Sequence, residues 1–429
     1  MIFGGTDGQL RGKVANQEGE PLIGAQIYIA ELGIGAVADI DGNYILLNIP
    51  VGTYDVTVTM ISYRTQINGN IGIIMDNTVW LNFILEVEAI KGEVIYVSGE
   101  KALVDKGTTS KKITISSEAI EALPIRDVSD LYSLQSGVVK IEGGTRGAIP
   151  NHEEKGLEEV HVRGGRSGEI AYLIDGMYIR NPIYGGIGNG TRINLFAVKE
   201  WDWQPGGFNA EYGDAMSAVS NYHTPIGGTE FSYKFKYETS LVGATFGSNY
   251  DNLRGYNDYN LGFGGSFPFL NKLKYWISGE YTTEDNYQVY EFDDLAYDHN
   301  DPGNINNKAN MVQPWDDTRG FRGFGLNNTW DIFSKLQYKL TNKLRFTLSH
   351  WTVSAHRKGF SPLFLYWDEG QNEIFRDTER IAFEINHTLS PKTYYSVRYA
   401  RFEQEAFIGV RMHDSDSDGY PDWYEWRYG

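Results

Sequence analysis

From about residue 226 onward, apolar and polar positions alternate with a period of two over long stretches. Phe231, Tyr233, Phe235 and Tyr237 are interleaved with Ser232, Lys234, Lys236 and Glu238. Trp330, Ile332, Leu336 and Tyr338 alternate with Asp331, Lys335, Gln337 and Lys339, and Ile381, Phe383, Ile385 and Leu389 with Arg380, Glu384, Asn386 and Thr388. A period of two sends successive side chains to opposite faces, so the pattern predicts strands with one apolar and one polar face. About seven such strands are expected between Glu230 and Phe407. Tight links at Leu270-Asn271-Lys272, Thr341-Asn342-Lys343 and Ser390-Pro391-Lys392 alternate with long polar loops, over residues 284–328 and 357–378. Short turns on one side and long loops on the other mark a membrane barrel, with one face to lipid and one to a polar lumen. A soluble sandwich of amphipathic strands is the competing expectation, which the strand length and the short-long alternation disfavour.

The first two hundred residues have a different texture. Tyr54, Val56 and Val58 alternate with Asp55, Thr57 and Thr59, and turn dipeptides such as Asp41-Gly42 and Val51-Gly52 recur. A compact all-β unit is expected over residues 9–87. A charged connector follows over 88–106, interrupted by the β-prone run Glu93, Val94, Ile95, Tyr96, Val97 between Gly92 and Gly99. Residues 107–225 are mixed, with helices expected near Ser117–Leu123 and Val128–Gln135, each behind a capping residue type. Asp175-Gly176 reads as a hairpin turn and Gly206-Gly207 as a loop needing permissive backbone angles.

Composition narrows the classes. At 429 residues the chain is expected to hold two or three units. It has no run of eighteen apolar residues, so entry into a membrane would have to be by strands. Aromatic residues at 14% and 49 glycines suit strands and turns. With no cysteine, disulfides and thiolate sites are excluded. A net charge of −18 disfavours nucleic acid as a partner. Met1 to Gln9 holds neither a basic segment nor an apolar core, so no signal peptide is read there.

Ordered motifs then point to families. Gly12-Lys13-Val14, Gly24-Ala25, Asp41-Gly42-Asn43-Tyr44 and Ile49-Pro50-Val51-Gly52-Thr53-Tyr54 resemble a carboxypeptidase-regulatory-like β-sandwich, a module without catalytic residues. Val162-Arg163-Gly164-Gly165, Ala171 through Asp175-Gly176, Ala197-Val198-Lys199-Glu200, and Pro205 through Ala215 with Gly206, Gly207, Tyr212 and Gly213 resemble in order and spacing the plug domain of TonB-dependent receptors. The resemblance implies a mainly β fold: an N-terminal β-sandwich, an α+β plug over 107–225, and from 226 to 429 the first strands of a transmembrane antiparallel β-barrel. It implies a receptor or transporter in the outer membrane, in contact with lipid, with the sandwich in the periplasm and a nutrient as ligand. A TonB-type energy-transducing protein would bind residues 93–97, the TonB box, as an added strand. An ordinary linker or a last sandwich strand is the competing reading of that run. Plugged transporters have about 22 strands, so a longer parent protein is expected. Where many members end the plug on a Thr-Lys pair, this chain has Val219-Ser220-Asn221-Tyr222-His223-Thr224-Pro225, which weakens placement among siderophore carriers. A barrel-anchored adhesion or signalling receptor is the alternative function.

The usual catalytic spacings are absent, and no enzyme is expected. His152 and His161 flank Glu153, Glu154, Glu158 and Glu159, which reads as a solvated plug loop, with a metal site as the competing reading. No cofactor is expected to be required. One stretch fits a calcium loop: Asp414, Asp416, Asp418, Tyr420, Asp422 and Glu425 at ligand positions, with Gly419 at the sharp turn. A solvated acidic loop is the competing reading.

Overall fold

The computed structural model describes residues 7–50, 52–73, 78–87, 94–98, 112–125, 127–141, 159–179, 191–208, 212–242, 255–284, 288–291, 321–362, 371–390, 393–411 and 423–426. The first unit is built from β1 (Asp7–Asn16), β2 (Gln26–Ile29), β3 (Ile34–Val37), β4 (Asn43–Pro50), β5 (Gly52–Thr59), β6 (Thr65–Ile73), β7 (Thr78–Trp80) and β8 (Phe83–Leu85). β4, β1 and β7 lie side by side with β8 also on β1, while β3, β2, β5 and β6 form the facing sheet. Leu10, Val14, Ile27, Ile29, Val56, Val58 and Phe83 fill the space between. The sequence motifs have local causes. Asp39 Oδ1 accepts from Asp41 N and Asn43 N at 3.0 and 2.9 Å, closing a turn through Gly42, whose φ of 77° favours glycine. That turn delivers Tyr44 into the core, where its hydroxyl donates to Leu81 O at 2.6 Å. A Cβ on Gly12 would sit 1.7 Å from the same carbonyl, so only glycine admits the crossing.

The run expected as a connector is not free-standing. β9 (Val94–Ser98) joins the second sheet as its end strand, parallel to β6, with Thr65 opposite Val94 and Gly69 opposite Ser98.

The middle unit holds β10 (Ile113–Ser116), α1 (Ser117–Glu121), α2 (Asp130–Ser133), β11 (Val138–Ile141), β12 (Glu159–Val162), β13 (Ile170–Ile174), β14 (Met177–Tyr178), β15 (Glu200–Gln204) and β16 (Ala218–His223). Its main sheet runs β10-β15-β16-β13-β14, and β11 pairs with β12. Both helices are shorter than expected, and neither Ser116 nor Ser129 makes a side-chain cap bond. Pro124 disfavours helical geometry at Leu123, and Gly137, at φ 77°, turns the chain after α2 into β11.

The last unit is an antiparallel sheet ordered β17 (Ser232–Thr239), β18 (Asn257–Phe267), β19 (Leu270–Glu284), β22 (Leu326–Thr341), β23 (Leu344–Lys358), β24 (Glu373–Ser390), β25 (Thr393–Arg411) and β26 (Trp423–Trp426), with a separate hairpin of β20 (Gln288–Glu291) and β21 (Phe321–Phe324). Among the described residues no pairing joins β17 to β26. The turn at 342–343 falls where expected and Ser390 pairs with Thr393 across the third expected link, but the first link lies at 268–269, where Phe269 takes a φ of 69°. Both long loops are narrower than the sequence suggested, and Trp423–Trp426, which includes Glu425 from the end of the expected calcium loop, pairs as β26 with Ile408–Arg411. The reason is that ladder pairing outlasts the apolar stripe: Thr352, Ser354 and Glu403 continue the outward row in strand geometry after its apolar signal has faded.

Outward side chains form a continuous apolar wall. Tyr237, Tyr259, Tyr281 and Trp330 stand directly opposite one another across four strands, all exposed, with the first three rings stacked at 4.7 and 6.5 Å. On β22 the outward series runs from Trp330 through Ile332 and Leu336 to Tyr338. That is about 26 Å along the strand and roughly 20 Å along a barrel axis at a tilt near 40°, close to the apolar band of an outer-membrane barrel. Among the described residues no helix is long and apolar enough to cross a membrane.

Candidate functional site

The inward face of the same strands is where the middle unit sits. Trp276, Phe333, Trp351 and Val353 belong to the core that also contains Leu131, Tyr132, Tyr172, Trp201 and Trp203. Gly262 makes room for that docking, because a Cβ there would meet Phe196 Cβ at 3.1 Å and Trp276 Cζ2 at 3.0 Å. Trp276 Nε1 donates to Phe196 O at 3.0 Å.

Two polar clamps fix the contact, and a third braces the middle unit itself. The first uses the expected hairpin: Asp175 and Gly176 both take positive φ, 50° and 73°, as a tight two-residue turn between β13 and β14 requires. Gly176 N donates to Asn221 Oδ1 at 3.0 Å. The Asp175 carboxylate accepts from Thr224 N at 3.0 Å, Thr224 Oγ1 at 2.6 Å and Lys335 Nζ at 2.9 Å. Burial alone would raise its pKa, but the Lys335 ammonium and the two Thr224 donors outweigh burial and hold it below the usual carboxylate range. Nearby, Arg380 Nη2 donates to Ile174 O at 3.2 Å.

The second clamp is Arg192. Its guanidinium pairs with Asp127 at 2.9 Å and with Glu280 of β19, and Asp331 of β22 accepts from Asn194 N and Nδ2 at 2.8 and 2.9 Å. Burial opposes the charge on Arg192, yet the surrounding carboxylates raise its pKa.

The third lies inside the middle unit. Asp202 on β15 accepts from Thr114 Oγ1 at 2.6 Å, Lys112 Nζ at 2.7 Å and His223 Nε2 at 2.7 Å. Burial pushes its pKa up, but His223 and Lys112 bring it down to about 2. Asp202 thereby ties β10, the sheet's first strand, to β15 and β16. Beside it, Trp201 Nε1 donates to Ser220 Oγ at 2.8 Å, and Tyr132 OH, 2.7 Å from the same oxygen, also contacts Tyr222 OH.

The sandwich meets the turn-bearing ends of the strands. Asp7 pairs with Arg345, Lys339 Nζ donates to Leu32 O, Asn342 Nδ2 to Gly33 O at 3.0 Å, and Asn48 Nδ2 to Thr388 Oγ1 at 2.7 Å. From Arg345 the charges continue to Glu384, which Arg398 Nε meets at 2.9 Å, and Arg398 Nη1 would lie 3.3 Å from a Cβ on Gly176.

The other motif residues fall together in part. Arg163, at φ 50°, and Gly164, at φ 83°, close β12, and a Cβ on Gly206 would lie 3.4 Å from Arg163 Nη1. Gly206 and Gly207 take φ of 102° and 70°, and after them Phe208 and Tyr212 pack against Ala171, Leu173 and Val219. The Cβ position of Gly213 meets nothing within 4 Å, and nothing described here requires glycine there. Glu93 lies outside the described residues, as do Asp414, Asp416, Asp418, Tyr420 and Asp422; Glu425 is placed in β26. His152 is also outside, and His161 Nδ1 lies 2.9 Å from Gly165 O. Among the described residues no group of acidic and histidine side chains could hold a metal. Sequence reasoning passed over Lys335, Arg192, Asp202, Arg345 and Asp7; their only local signal was charge on a polar face.

Residues 10–97 match the CarboxypepD_reg-like domain family, and residues 105–219 match the TonB-dependent Receptor Plug Domain family. The chain is 25% identical over 204 residues to the TonB-dependent transporter Oar of Myxococcus xanthus, covering 46% of this chain and 18% of that protein. The siderophore receptor PiuA of Acinetobacter baumannii superposes with a TM-score of 0.45 at 13% identity, over 70% of this chain and 38% of PiuA. The outer membrane transporter YddB of Escherichia coli gives 0.46 at 12% identity, over 71% and 40%. The chain thus spans less than half the length of each. The plug-domain family is one of receptors and transporters, not of enzymes.

Proposed function

Because this chain carries a TonB-dependent receptor plug domain behind a CarboxypepD_reg-like domain, we propose that it acts as part of an outer-membrane importer, taking up a nutrient through a plugged barrel with energy delivered by a TonB-type protein. The observation that carries the reading is the division of the strands into two faces. Outward, aromatic and aliphatic side chains form a wall suited to lipid, while inward, Phe333, Trp351 and Val353 complete the core of the plug. A sheet with both faces committed in this way has no use as a soluble sandwich wall. Work in such a protein consists of releasing Asp175 and Arg192 from their strand partners, so conformational release and not bond chemistry would set its rate.

The sandwich contacts the short turn at 342–343 and Thr388, close to the Ser390–Thr393 pair where β24 meets β25, and short turns face the periplasm in barrels of this kind. This supports a periplasmic sandwich. Residues 93–97 are the proposed docking segment for the TonB-type partner, and the proposed ligand is a nutrient.

The test is made on the product of the complete gene. It should fractionate with the outer membrane and show heat-dependent gel mobility, and its plug should lose protease protection only when an energised inner membrane and a TonB-type protein are both present. Recovery in the aqueous phase without detergent would overturn the reading.

A further inference from the structure

The plug hairpin at Asp175-Gly176 is held by cations from three strands of the wall. Lys335 of β22 meets Asp175 at 2.9 Å, Arg380 of β24 donates to Ile174 O at 3.2 Å, and Arg398 of β25 packs its Nη1 3.3 Å from the Cβ position of Gly176. Arg398 Nη2 is buried with no hydrogen-bond partner, so this side chain is kept against the turn by its Nε, which donates to Glu384 Oε1 at 2.9 Å. Glu384 is shared. Arg398 stands directly opposite it on β25, while Arg345 lies diagonally across from it on β23, opposite Asn386. Diagonal neighbours are about 7–8 Å apart, within reach of two long side chains. Arg345 is itself paired with Asp7 of the sandwich. Asp7, Arg345, Glu384 and Arg398 therefore alternate in sign from the sandwich to the plug turn, and no more than 13% of any of these side chains is exposed.

We propose that this chain of four charges couples the seating of the sandwich to the seating of the plug hairpin: the sandwich is an autoinhibitory contact, and lifting it off the strand ends loosens a turn it does not touch. The inference concerns the resting protein and stands whether or not the barrel imports a nutrient.

The cause is competition for Glu384. With Asp7 in place the four charges balance, and Arg345 leaves Glu384 to Arg398. Without Asp7, two enclosed guanidiniums share one carboxylate. A buried charge is costly unless paired, so Arg345 is drawn to Glu384 and Arg398 loses its hold on the turn. The other sandwich contacts, from Lys339 to Leu32 O, Asn342 to Gly33 O and Asn48 to Thr388 Oγ1, bring no carboxylate to the wall and cannot take the place of Asp7. Glu384 with its two rival cations is the element that both units bias. By linkage the coupling is reciprocal, so a loosened turn weakens the grip on the sandwich by the same factor. Any event that lifts the sandwich thereby primes the plug for release.

Hydrogen exchange over residues 174–178 is measured in the full-length protein carrying Asp7→Asn, Arg345→Met or both, with residues 200–204 as the internal reference for a folded plug. Asp7→Asn should speed exchange at the hairpin by at least about fivefold. Arg345→Met breaks the same ion pair but also removes the competitor. It should free the sandwich, read as trypsin cleavage between residues 98 and 112, and leave the hairpin as slow as in the parent. The two substitutions together should restore slow exchange at the hairpin. A sandwich that merely props the plug gives fast exchange in all three variants, and that result overturns the proposal, as does unchanged exchange in Asp7→Asn. Arg398→Met supplies the reciprocal arm: it leaves Glu384 facing Asp7 without its second cation and should raise the trypsin cleavage rate, and an unchanged rate also overturns the coupling.

Discussion

Lys335, on the inward face of β22, reaches 2.9 Å across to Asp175 in the plug hairpin, 160 residues earlier in the chain, and shares Thr224 Oγ1 with it at 2.8 Å. Both side chains are nearly enclosed, so neither charge is satisfied by water if the other is removed. The pair therefore holds the plug to the wall by the cost of separation, whatever its net contribution to folding.

Lys335→Met should accordingly loosen the plug by about 3–5 kcal/mol, the usual cost of stranding one member of a buried ion pair. Adding Asp175→Asn should recover part of this, since an amide leaves no unpaired charge. Hydrogen exchange over residues 170–178 in the full-length protein reads both; unchanged protection in Lys335→Met would show that this clamp does not hold the plug.

Asp202 gives a pH prediction. Its folded pKa of about 2 lies below the ordinary 3.8, so its stabilisation is complete above about pH 4 and is lost as pH falls through 2. The contribution at neutral pH is about 2 kcal/mol. Asp202→Asn should lack it at every pH above that window, and near-ultraviolet circular dichroism of the stacked Trp201 and Trp203 should collapse at higher pH than in the parent. Coincident acid transitions would contradict the assignment.

Arg345→Gln leaves Asp7 buried without its cation and should free the sandwich from the strand ends. Trypsin should then cleave between residues 98 and 112 several-fold faster than in the parent, while Asp7→Asn should have the milder effect. The exchanged pair Asp7→Arg with Arg345→Asp tests the interaction itself: if its cleavage rate matches Arg345→Gln alone, the contact is not electrostatic.

The stretch from Asp414 to Glu425 is expected to bind Ca²⁺ weakly, with a dissociation constant on the order of 10⁻⁴ to 10⁻³ M for a single extracellular-type loop. Calorimetric titration of the chain beside an Asp414→Ala, Asp418→Ala variant decides it, and matching unsaturable heats would leave an acidic loop without a site.

Much was legible because its causes are local. The period-two runs, the turn at 342–343, and the Asp175-Gly176 hairpin each follow from a few neighbouring residues, and local sterics and alternation act on chains of any length. Strand ends were misjudged where backbone pairing continues past the apolar stripe, since a ladder hydrogen bond leaves no mark on side-chain identity.

What the sequence by itself determined was the order of the units, their fold classes, and which strand positions face outward. What only the tertiary structure decided was partnership. Lys335, Arg345 and Asp331 read along the chain as ordinary polar-face residues, since alternation tells that a side chain points inward but not what stands opposite. The same holds for Val94–Ser98, whose β-prone residues fit a linker, a docking segment or a sandwich strand equally well. Its position on β6 was settled by a free strand edge supplied nearly thirty residues away, and no local pattern encodes that. Burial turns these contacts into energy, because a charge or a backbone edge withdrawn from water must find its partner within the fold.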